Sequence, residues 1–280
     1  MKNILKKLLL FEVPAKREEF VIDKKEENVE YDVRYEDFNK ENPQVSDDYD
    51  KNLQYIKTRF SYPENNDVVI RNIRLKGDIR AFLVFYDGMT DTKMIDLAVV
   101  ETLQKLPLLS KDKIPQNAQY IMENLVSHSQ VSANRDIEKI IDEVNFGSCG
   151  LFVEGVDQGF AIDVRSWGNR GIDKPENEQS IYGPQEAFGE MIRTNSALVR
   201  KIIKNEKLIC KGVEIGKVSK TRGVLMYISD IANDELVSEV ERRINGIDID
   251  YIVAIEEVSL LIEEERLMIT NHRLGTERPD

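Results

Sequence analysis

The sequence predicts an α/β protein made of two small α/β subdomains behind a charged tail. Stretches with the apolar runs of strands alternate with stretches of helical periodicity in both halves of the 280-residue chain. Between the halves lies the connector SWGNRGIDKPENE, which combines glycine, proline and charged residues. We therefore predict a tail at 1–47, a first subdomain at 48–168 and a second subdomain at 169–280.

The predicted tail contains no glycine and is dense in charges of both signs. It cannot bury enough apolar surface to offset the loss of backbone entropy, about 1–2 kcal/mol for each ordered residue. We expect most of it to be disordered. Residues 2–11, KNILKKLLLF, have the pattern of a short amphipathic helix that docks on a partner or membrane surface, or of a frayed terminus.

The first subdomain is expected to begin with a helix near Asp48, because Leu53, Ile56 and Phe60 fall on one helical face. TDTKMIDLAVVETLQKLP predicts a second helix that starts at its first or second residue and stops before its proline. One or two further helices follow through about residue 143. Strands are predicted in four stretches, of which the last two form a hairpin: DVVIRNIRLK, IRAFLVFYDG, SCGLFVEG and GFAIDV.

The second subdomain is predicted to open with a helix from Pro184 to about Lys204. Gly183 permits a sharp turn, and proline suits the first helical position. A later helix has both end signals, with Asn233 as N-cap and Gly246 just beyond its last turn. Strands are predicted in LICKGVEIG, in TRGVLMYIS and at the start of IDIDYIVAIEEVSLLIEEE, which then continues as a short helix.

Asn195 lies in the middle of the apolar face of the helix predicted from Pro184. That face comprises Phe188, Ile192, Val199 and Ile202, whereas Arg200 falls on the opposite, charged face. A buried amide without partners costs about 1–3 kcal/mol, so Asn195 must be hydrogen-bonded. Two interpretations are open: Asn195 lines a ligand pocket between the subdomains, or it binds backbone groups of a loop or strand end.

Further candidate residues lie in or beside the connector. Trp167, the one tryptophan of the chain, either stacks on a ligand or pins the connector to a subdomain. Arg165, Arg170, Glu176 and Glu178 either bracket a zwitterionic solute or form solvated ion pairs of little energetic weight.

Composition argues against several classes of protein. The net charge of −12 opposes contact with nucleic acid or anionic lipid headgroups, since both attract basic surfaces. Cys149 and Cys210 fall in apolar stretches and are expected to be buried free thiols. With two histidines and no CxxC or HExxH, no metal site is predicted. Neither a secretory signal nor a transmembrane span is predicted.

Motifs of catalysis are missing as well. The chain has no GxGxxG, GxxxxGK[ST] or GxSxG, and His128 has no nucleophile beside it in sequence. We therefore predict a protein that is not an enzyme and uses no cofactor. A small-molecule hydrolase is the alternative, and it would require titratable groups that converge in a cleft.

Five stretches, in order along the chain, carry a family resemblance. RGIDKPENEQSIYGPQEAFGEMIRTNSALVR at 170–200 holds a P-E-x-E step, a G-P-x-E-x-F-x-E stretch, an asparagine and a leucine–x–arginine, with Asn195 and Arg200 at the last two. The others are NLQYIKTRFSYPENNDVVIR, FLVFYDGMTD, IGKVSKTRGVLMYISDIAN and TERPD. Over about residues 50–280 the chain resembles the soluble N-terminal domain of the A subunit of GerA-type spore germinant receptors.

The resemblance implies a two-unit α/β domain, similar in architecture to solute-binding proteins, on the cytoplasmic face of the spore inner membrane. The family continues beyond T-E-R-P-D into a multi-helix membrane portion, so we expect a soluble fragment of a multi-pass protein. Implied partners are an integral-membrane B subunit, a lipoprotein C subunit and a small nutrient such as an amino acid, sugar or nucleoside. Two functions fit: nutrient sensing or signal transmission, or a scaffold that assembles receptor subunits without binding a ligand.

Overall fold

Both halves of the chain contain helices and strands, which confirms the predicted α/β class. The computed structural model describes residues 43–76, 78–105, 114–125, 130–166, 178, 183–262 and 275–279. The described elements are α1 (Tyr49–Arg59), β1 (Val68–Leu75), β2 (Ile79–Tyr86), α2 (Thr92–Met94, the π-helical Ile95–Val100 and Glu101–Lys105), α3 (Ile114–Leu125), β3 (Val131–Asn134), α4 (Ile137–Asn145), β4 (Cys149–Val153), β5 (Gly159–Ile162), α5 (Ile192–Ile202), β6 (Leu208–Ile215), β7 (Thr221–Ile228), α6 (Asp234–Asn245) and α7 (Ile255–Leu261).

The larger sheet has five strands in the order β1-β2-β4-β5-β3, and every neighbouring pair is antiparallel. Strand β2 lies inside the sheet and is buried along almost its whole length, as its apolar sequence predicts. Alternate β2 side chains enter different clusters because strand side chains alternate between faces. Leu83 and Phe85 pack with α2 and α3, and Phe82 and Val84 pack with α1 and α4.

Two predicted helix starts are confirmed by their caps. The side chain of Asp48 accepts hydrogen bonds from the backbone N–H groups of Asp50 and Lys51 at the start of α1. Asp91 does the same for Lys93 and Met94 at the start of α2, at distances of 2.9 and 3.2 Å. Each aspartate satisfies N–H groups that have no partner within the helix. The sequence therefore encodes the positions of both helices locally.

Two strand predictions need correction. Strand β3 was not predicted, because VSAN is short and only half-buried at the edge of the sheet, where it pairs with β5 alone. The strand predicted at the start of IDIDYIVAIEEVSLLIEEE is wrong, since no strand lies between Ile247 and α7. There the carbonyl oxygens of Ile249 and Asp250 accept hydrogen bonds from the 217–219 turn instead. That segment is held by a turn rather than by a neighbouring strand.

The smaller sheet consists of the antiparallel hairpin β6–β7. It packs with α6 and α7 around four buried side chains: Ile215, Ile244, Ile252 and Val258. Helix α6 begins at its predicted N-cap, where Asn233 accepts from Glu235 and Leu236. Gly246 follows the helix as predicted, but with φ of −82° rather than a left-handed conformation.

The helix predicted from Pro184 begins instead at Ile192. A helix from Pro184 would bond the N–H of Phe188 to the carbonyl of Pro184. That N–H donates to the carbonyl of Glu277 at 2.7 Å, and the next one, of Gly189, donates to the side chain of Asn195. Contacts made elsewhere therefore keep residues 184–189 out of the helix.

The two sheets and their apolar clusters are separate, but the predicted boundary at 168/169 lies outside the described residues. The division into subdomains and the solute-binding-protein architecture therefore stay predictions. Of the predicted tail, 43–47 is described, and Val45 is buried and donates its N–H to the carbonyl of Arg135. Cys149 and Cys210 are buried and free, as predicted. Among the described helices, none is long and apolar enough to cross a membrane.

Candidate functional site

Helix α5 carries a buried arginine that fixes it to the larger sheet. Only 2 % of the Arg200 residue surface is exposed. Its Nε and Nη2 atoms donate to the carboxylate of Asp67 at 2.5 and 2.8 Å. Nη2 also donates, at 2.9 Å each, to Oδ1 of Asn65 and to the carbonyl oxygen of Leu208. One side chain thus joins α5, the loop before β1 and the first residue of β6.

The charge of Arg200 persists in this buried position because it is paired. The guanidinium carbon lies 4.0 Å from the centre of the Tyr86 ring, and a cation is attracted to an aromatic face. Burial alone would lower the pKa of Arg200, but its neighbours Tyr86 and Asp67 raise it above the ordinary value. Arg200 and Asp67 therefore form a buried ion pair, and losing either partner would leave the other charge buried and unpaired.

The polar triplet 65–67 holds β6 almost as a further strand would. Asn65 Oδ1 also accepts from the N–H of Cys210 at 2.9 Å, and its amide nitrogen donates to Leu208 at 3.2 Å. Asn66 donates its N–H to the carbonyl of Cys210 at 2.8 Å and accepts from the N–H of Gly212 at 2.6 Å. These hydrogen bonds take the place of the ladder that a neighbouring strand would form with β6.

A second series of polar contacts begins at the hydroxyl of Tyr86. This hydroxyl donates to Asn145 at 3.1 Å, and Asn145 donates to Glu206 at 2.9 Å. Arg59 on α1 bridges Glu206, at 3.1 Å, and Glu138 on α4, at 2.8 Å. Burial would raise the pKa of Glu138, but its hydrogen bonds from Arg59 and Tyr55 hold it below the ordinary value. The stretch before β6 is therefore anchored at two places.

A cleft of about 460 Å³ lies beside the Arg200 ion pair. One wall carries Asp87 and, on α5, Arg193, whose Nη2 lies 2.8 Å from an oxygen of Asp87. The hairpin forms the other wall, where Glu214 and Arg222 face each other across the strand pair. Charges of both signs and the hydroxyl of Ser196 suit a small polar solute.

Gly88 determines how closely helix α5 can approach the larger sheet. Its φ of +92° lies in the left-handed region, and a Cβ built on it would lie 2.7 Å from the carbonyl oxygen of Arg193. Helix α5 can approach the end of β2 this closely because that Cβ is absent. The tyrosine–aspartate–glycine of FLVFYDGMTD therefore has a structural reason: Tyr86 stacks on Arg200, Asp87 pairs with Arg193, and Gly88 admits α5.

A second cavity, of about 700 Å³, lies at the β3 edge of the larger sheet. Arg165 lines it and binds the carboxylate of Asp163 with two nitrogen atoms, Nε at 2.8 Å and Nη2. These hydrogen bonds from Arg165 hold the pKa of Asp163 below its ordinary value. The charge of Arg165 is therefore already neutralised by a neighbour two residues away.

The structure gives the other predicted site residues different partners. Asn195 binds both backbone groups of Gly189, as the loop interpretation expects, so a ligand role for it stays a prediction. Glu178 binds the C-terminal segment at Thr276 and Glu277. Trp167, Arg170 and Glu176 lie outside the described residues. Gly183 has φ of +133°, and Pro184 follows it without starting a helix.

The prediction for the buried face of α5 was wrong at two residues. Arg200 was assigned to the solvated face, yet it is buried with Ser196, Ala197 and Leu198. Ile202, assigned to the apolar face, is 47 % exposed. Assigning helix faces by periodicity assumes that charged residues face water. Arg200 is an exception, because its pairing with Asp67 allows a charged residue to be buried.

The sequence analysis did not identify the residues that bind Arg200 or extend its network. Asn65 and Asp67 stand in a short polar run, NND, directly before an apolar strand, which is the one local signal they give. Asp67 is 133 residues from Arg200, and no spacing rule connects the two. Asn145 and Glu206 give no signal, because one resembles an ordinary polar residue at a helix end and the other an ordinary polar residue in a turn. In the part of the chain described, no group of three or more His, Cys, Asp or Glu side chains could hold a metal ion.

Comparison with known families decides the relationship that the motifs indicate. The sequence profile of the Bacillus/Clostridium GerA spore germination protein matches residues 54–280. The chain belongs to this family. The matched range includes the NND triplet, the tyrosine–aspartate–glycine and Arg200, so the whole buried network lies in the family region.

Relatives of this GerA-family chain include several germination proteins. Spore germination protein B1 of Bacillus subtilis (strain 168) is 33% identical over 85% of this chain and 48% of its own length. Spore germination protein KA of the same strain is 28% identical over 84% of this chain and 43% of its own length. The chain therefore spans about half the length of the curated relatives it matches.

A solved structure also resembles this GerA-family chain. It is the crystal structure of the N-terminal domain of the A subunit of the Bacillus megaterium spore germinant receptor GerK3. The two share 28% sequence identity and a TM-score of 0.63, over 86% of this chain and 88% of the other. The fold resemblance thus covers most of both chains.

Proposed function

We propose that this chain is the N-terminal domain of a spore germinant receptor A subunit and takes part in the nutrient sensing or signal transmission that triggers germination. Its place would be the cytoplasmic face of the spore inner membrane, with an integral-membrane B subunit and a lipoprotein C subunit as partners. The names of its relatives and of its structural neighbour support a receptor rather than an enzyme.

The observation that carries this proposal is the position of the cleft beside the buried ion pair. Arg193 and Ser196 in the cleft belong to the helix that Arg200 fixes to the larger sheet. Glu214 and Arg222 belong to the hairpin that the same network fixes. A nutrient in the cleft would contact both elements, and it would favour whichever arrangement of them it binds more tightly. We propose an amino acid, sugar or nucleoside as the nutrient.

The test is an NMR titration of this chain with amino acids, sugars and nucleosides. Shifts should concentrate on the cleft residues Arg193, Ser196, Gly212 and Arg222. The Arg222→Ala variant should lose them, whereas Arg74→Ala, an exposed arginine on β1, should keep them. If no compound causes shifts, or if Arg74→Ala abolishes them equally, the cleft does not hold the nutrient.

A scaffold that assembles receptor subunits without binding a ligand is the second candidate. Exposed apolar side chains favour it: Tyr251, Val253 and Ile255 are 68–69 % exposed in and directly after the extended segment before α7, and Val218 lies in the adjoining turn. Such a patch is typical of a protein–protein contact. Val253→Glu should weaken assembly with the B and C subunits in copurification, whereas Arg74→Ala should not. Assembly unaffected by Val253→Glu would argue against this patch as the contact.

A further inference from the structure

The C-terminal segment 275–279 is held by the connector at a single carboxylate oxygen. Oε2 of Glu178 accepts from the hydroxyl of Thr276 at 2.6 Å and from the N–H of Glu277 at 2.9 Å. The Thr276 hydroxyl in turn accepts from the N–H of Arg278 at 3.0 Å. Hydrogen bonds to a charged oxygen are stronger than those between neutral groups, so Glu178 fixes the direction of this segment.

The same segment is tied to helix α5 through the chain that precedes the helix. The carbonyl oxygen of Glu277 accepts from the N–H of Phe188 at 2.7 Å. The neighbouring residue, Gly189, donates its N–H to Oδ1 of Asn195 at 2.8 Å and accepts from Nδ2 of Asn195 at 2.7 Å. Asn195 lies in the first turn of α5, so the terminal segment is two hydrogen-bonded steps from this helix.

The residue types match this geometry. Asparagine offers one acceptor and two donors on a planar amide, so it can bind the N–H and the C=O of one residue together. Aspartate lacks the donor, and leucine lacks both groups. A carboxylate can accept both donors of the Thr276–Glu277 turn. Asparagine at 195 is therefore explained without any ligand.

We propose that Glu178 and Asn195 are positioning residues of a terminal latch, which comprises Glu178, Phe188, Gly189, Asn195 and residues 275–279. The latch makes the terminal segment follow α5, which also bears the cleft residues Arg193 and Ser196. The proposal needs no ligand in the cleft, so it can hold or fail independently of the proposed function. Glu178, residues 188–195 and residues 276–279 of this chain then form one device rather than separate motifs.

Amide hydrogen exchange measured by NMR on this 280-residue chain tests the latch. Asn195→Ala should speed exchange at Gly189 and also at Phe188 and Glu277, whose N–H groups donate to other acceptors. Glu178→Ala should speed exchange at Glu277 and then at Phe188 and Gly189. Each acceleration should be about fivefold, since one net hydrogen bond is worth roughly 1 kcal/mol. Glu178→Gln keeps an acceptor and should restore part of the protection.

The matched control is Glu190→Ala, which removes an exposed carboxylate between Gly189 and α5. It should leave exchange at Phe188, Gly189 and Glu277 unchanged. The latch is refuted if Asn195→Ala affects Gly189 alone, or if Glu190→Ala speeds all three amides equally. If Asn195→Ala does not fold, the Glu178 variants decide, because their effect must then reach Gly189 for the latch to stand.

Discussion

The larger sheet and the smaller sheet of this GerA-family chain are stabilised by different kinds of interaction. The larger sheet has an apolar cluster on each face, and strand β2 is buried on both. The β6–β7 hairpin has one small cluster of four buried side chains. A two-stranded hairpin is marginally stable on its own, so its attachment must contribute much of its stability. That attachment is polar: the Arg200 ion pair, the NND triplet and Glu206.

This difference indicates that the hairpin can loosen before the larger sheet does. Apolar packing has no direction, whereas the hydrogen bonds of Arg200 have one geometry and are lost together when it changes. Buried ion pairs often add little net stability, yet removing one partner is strongly destabilising. The network therefore specifies where the hairpin docks more than it adds to overall stability.

The largest expected effect comes from Arg200→Met, which leaves the Asp67 carboxylate buried without its cation. We expect the free energy of unfolding to fall by about 3–5 kcal/mol in chemical denaturation. Amides of β6 and β7 should lose protection from exchange at lower denaturant than those of β2. Adding Asp67→Asn should recover part of the loss, because both charges are then gone. A loss no larger than that of the exposed Arg74→Ala would contradict the polar attachment.

A smaller loss is expected from Gly88→Ala, which tests how closely α5 must approach β2. A left-handed φ costs an L-residue about 1–2 kcal/mol, and the clash with the Arg193 carbonyl adds a packing cost, so we expect about 2–4 kcal/mol in total. Gly155 is a matched control, since its φ is +77° but a Cβ there would meet nothing within 4 Å. Gly155→Ala should therefore show the backbone cost alone. Equal losses for the two variants would mean that the approach of α5 imposes no constraint.

How much of this could be read from the sequence depends on how local each signal is. Asp48 and Asp91 cap helices that begin beside them, and the apolar run of β2 identifies an interior strand; all three predictions hold. The start of α5 did not follow from its own residues, because Glu277, far along the chain, binds the N–H of Phe188. The burial of Arg200 depends on Asp67, 133 residues away. Local patterns encode elements, whereas the site depends on pairs that only the fold brings together.

A third, smaller loss of stability is expected when a helix cap is removed, and its location should differ between the two regions. Asn233→Ala removes the N-cap of α6 and should cost about 1 kcal/mol. Exchange should rise in α6 and the hairpin but not in β2, if the hairpin loosens by itself. Asp136→Ala removes the cap of α4 beside the larger sheet and should instead lower the stability of that sheet. Identical exchange profiles for the two variants would show that the regions unfold as one unit.

The smallest expected effect is on how the stability of α6 and the hairpin depends on pH in the acid range. Hydrogen bonds from Arg242 and Arg243 lower the pKa of Glu239 on α6 from its ordinary 4.5 to about 2. A carboxyl group with a lowered pKa stabilises the folded state fully above about 4.5, and this contribution is lost as the pH falls towards 2. Because Arg242 is largely exposed, solvent screens the pair, and we expect less than about 1 kcal/mol. In Glu239→Gln, the stability of α6 and the hairpin should therefore fall less between pH 5 and pH 2 than in the parent chain, as measured by thermal unfolding at each pH.

The exposed pair Arg74–Asp78 on the larger sheet offers a comparison, and Asp78→Asn should leave the acid dependence of the hairpin as it was. An unchanged acid dependence in Glu239→Gln would place the acid-sensitive groups elsewhere, with the Arg59–Glu138 pair beside the larger sheet as the next to test.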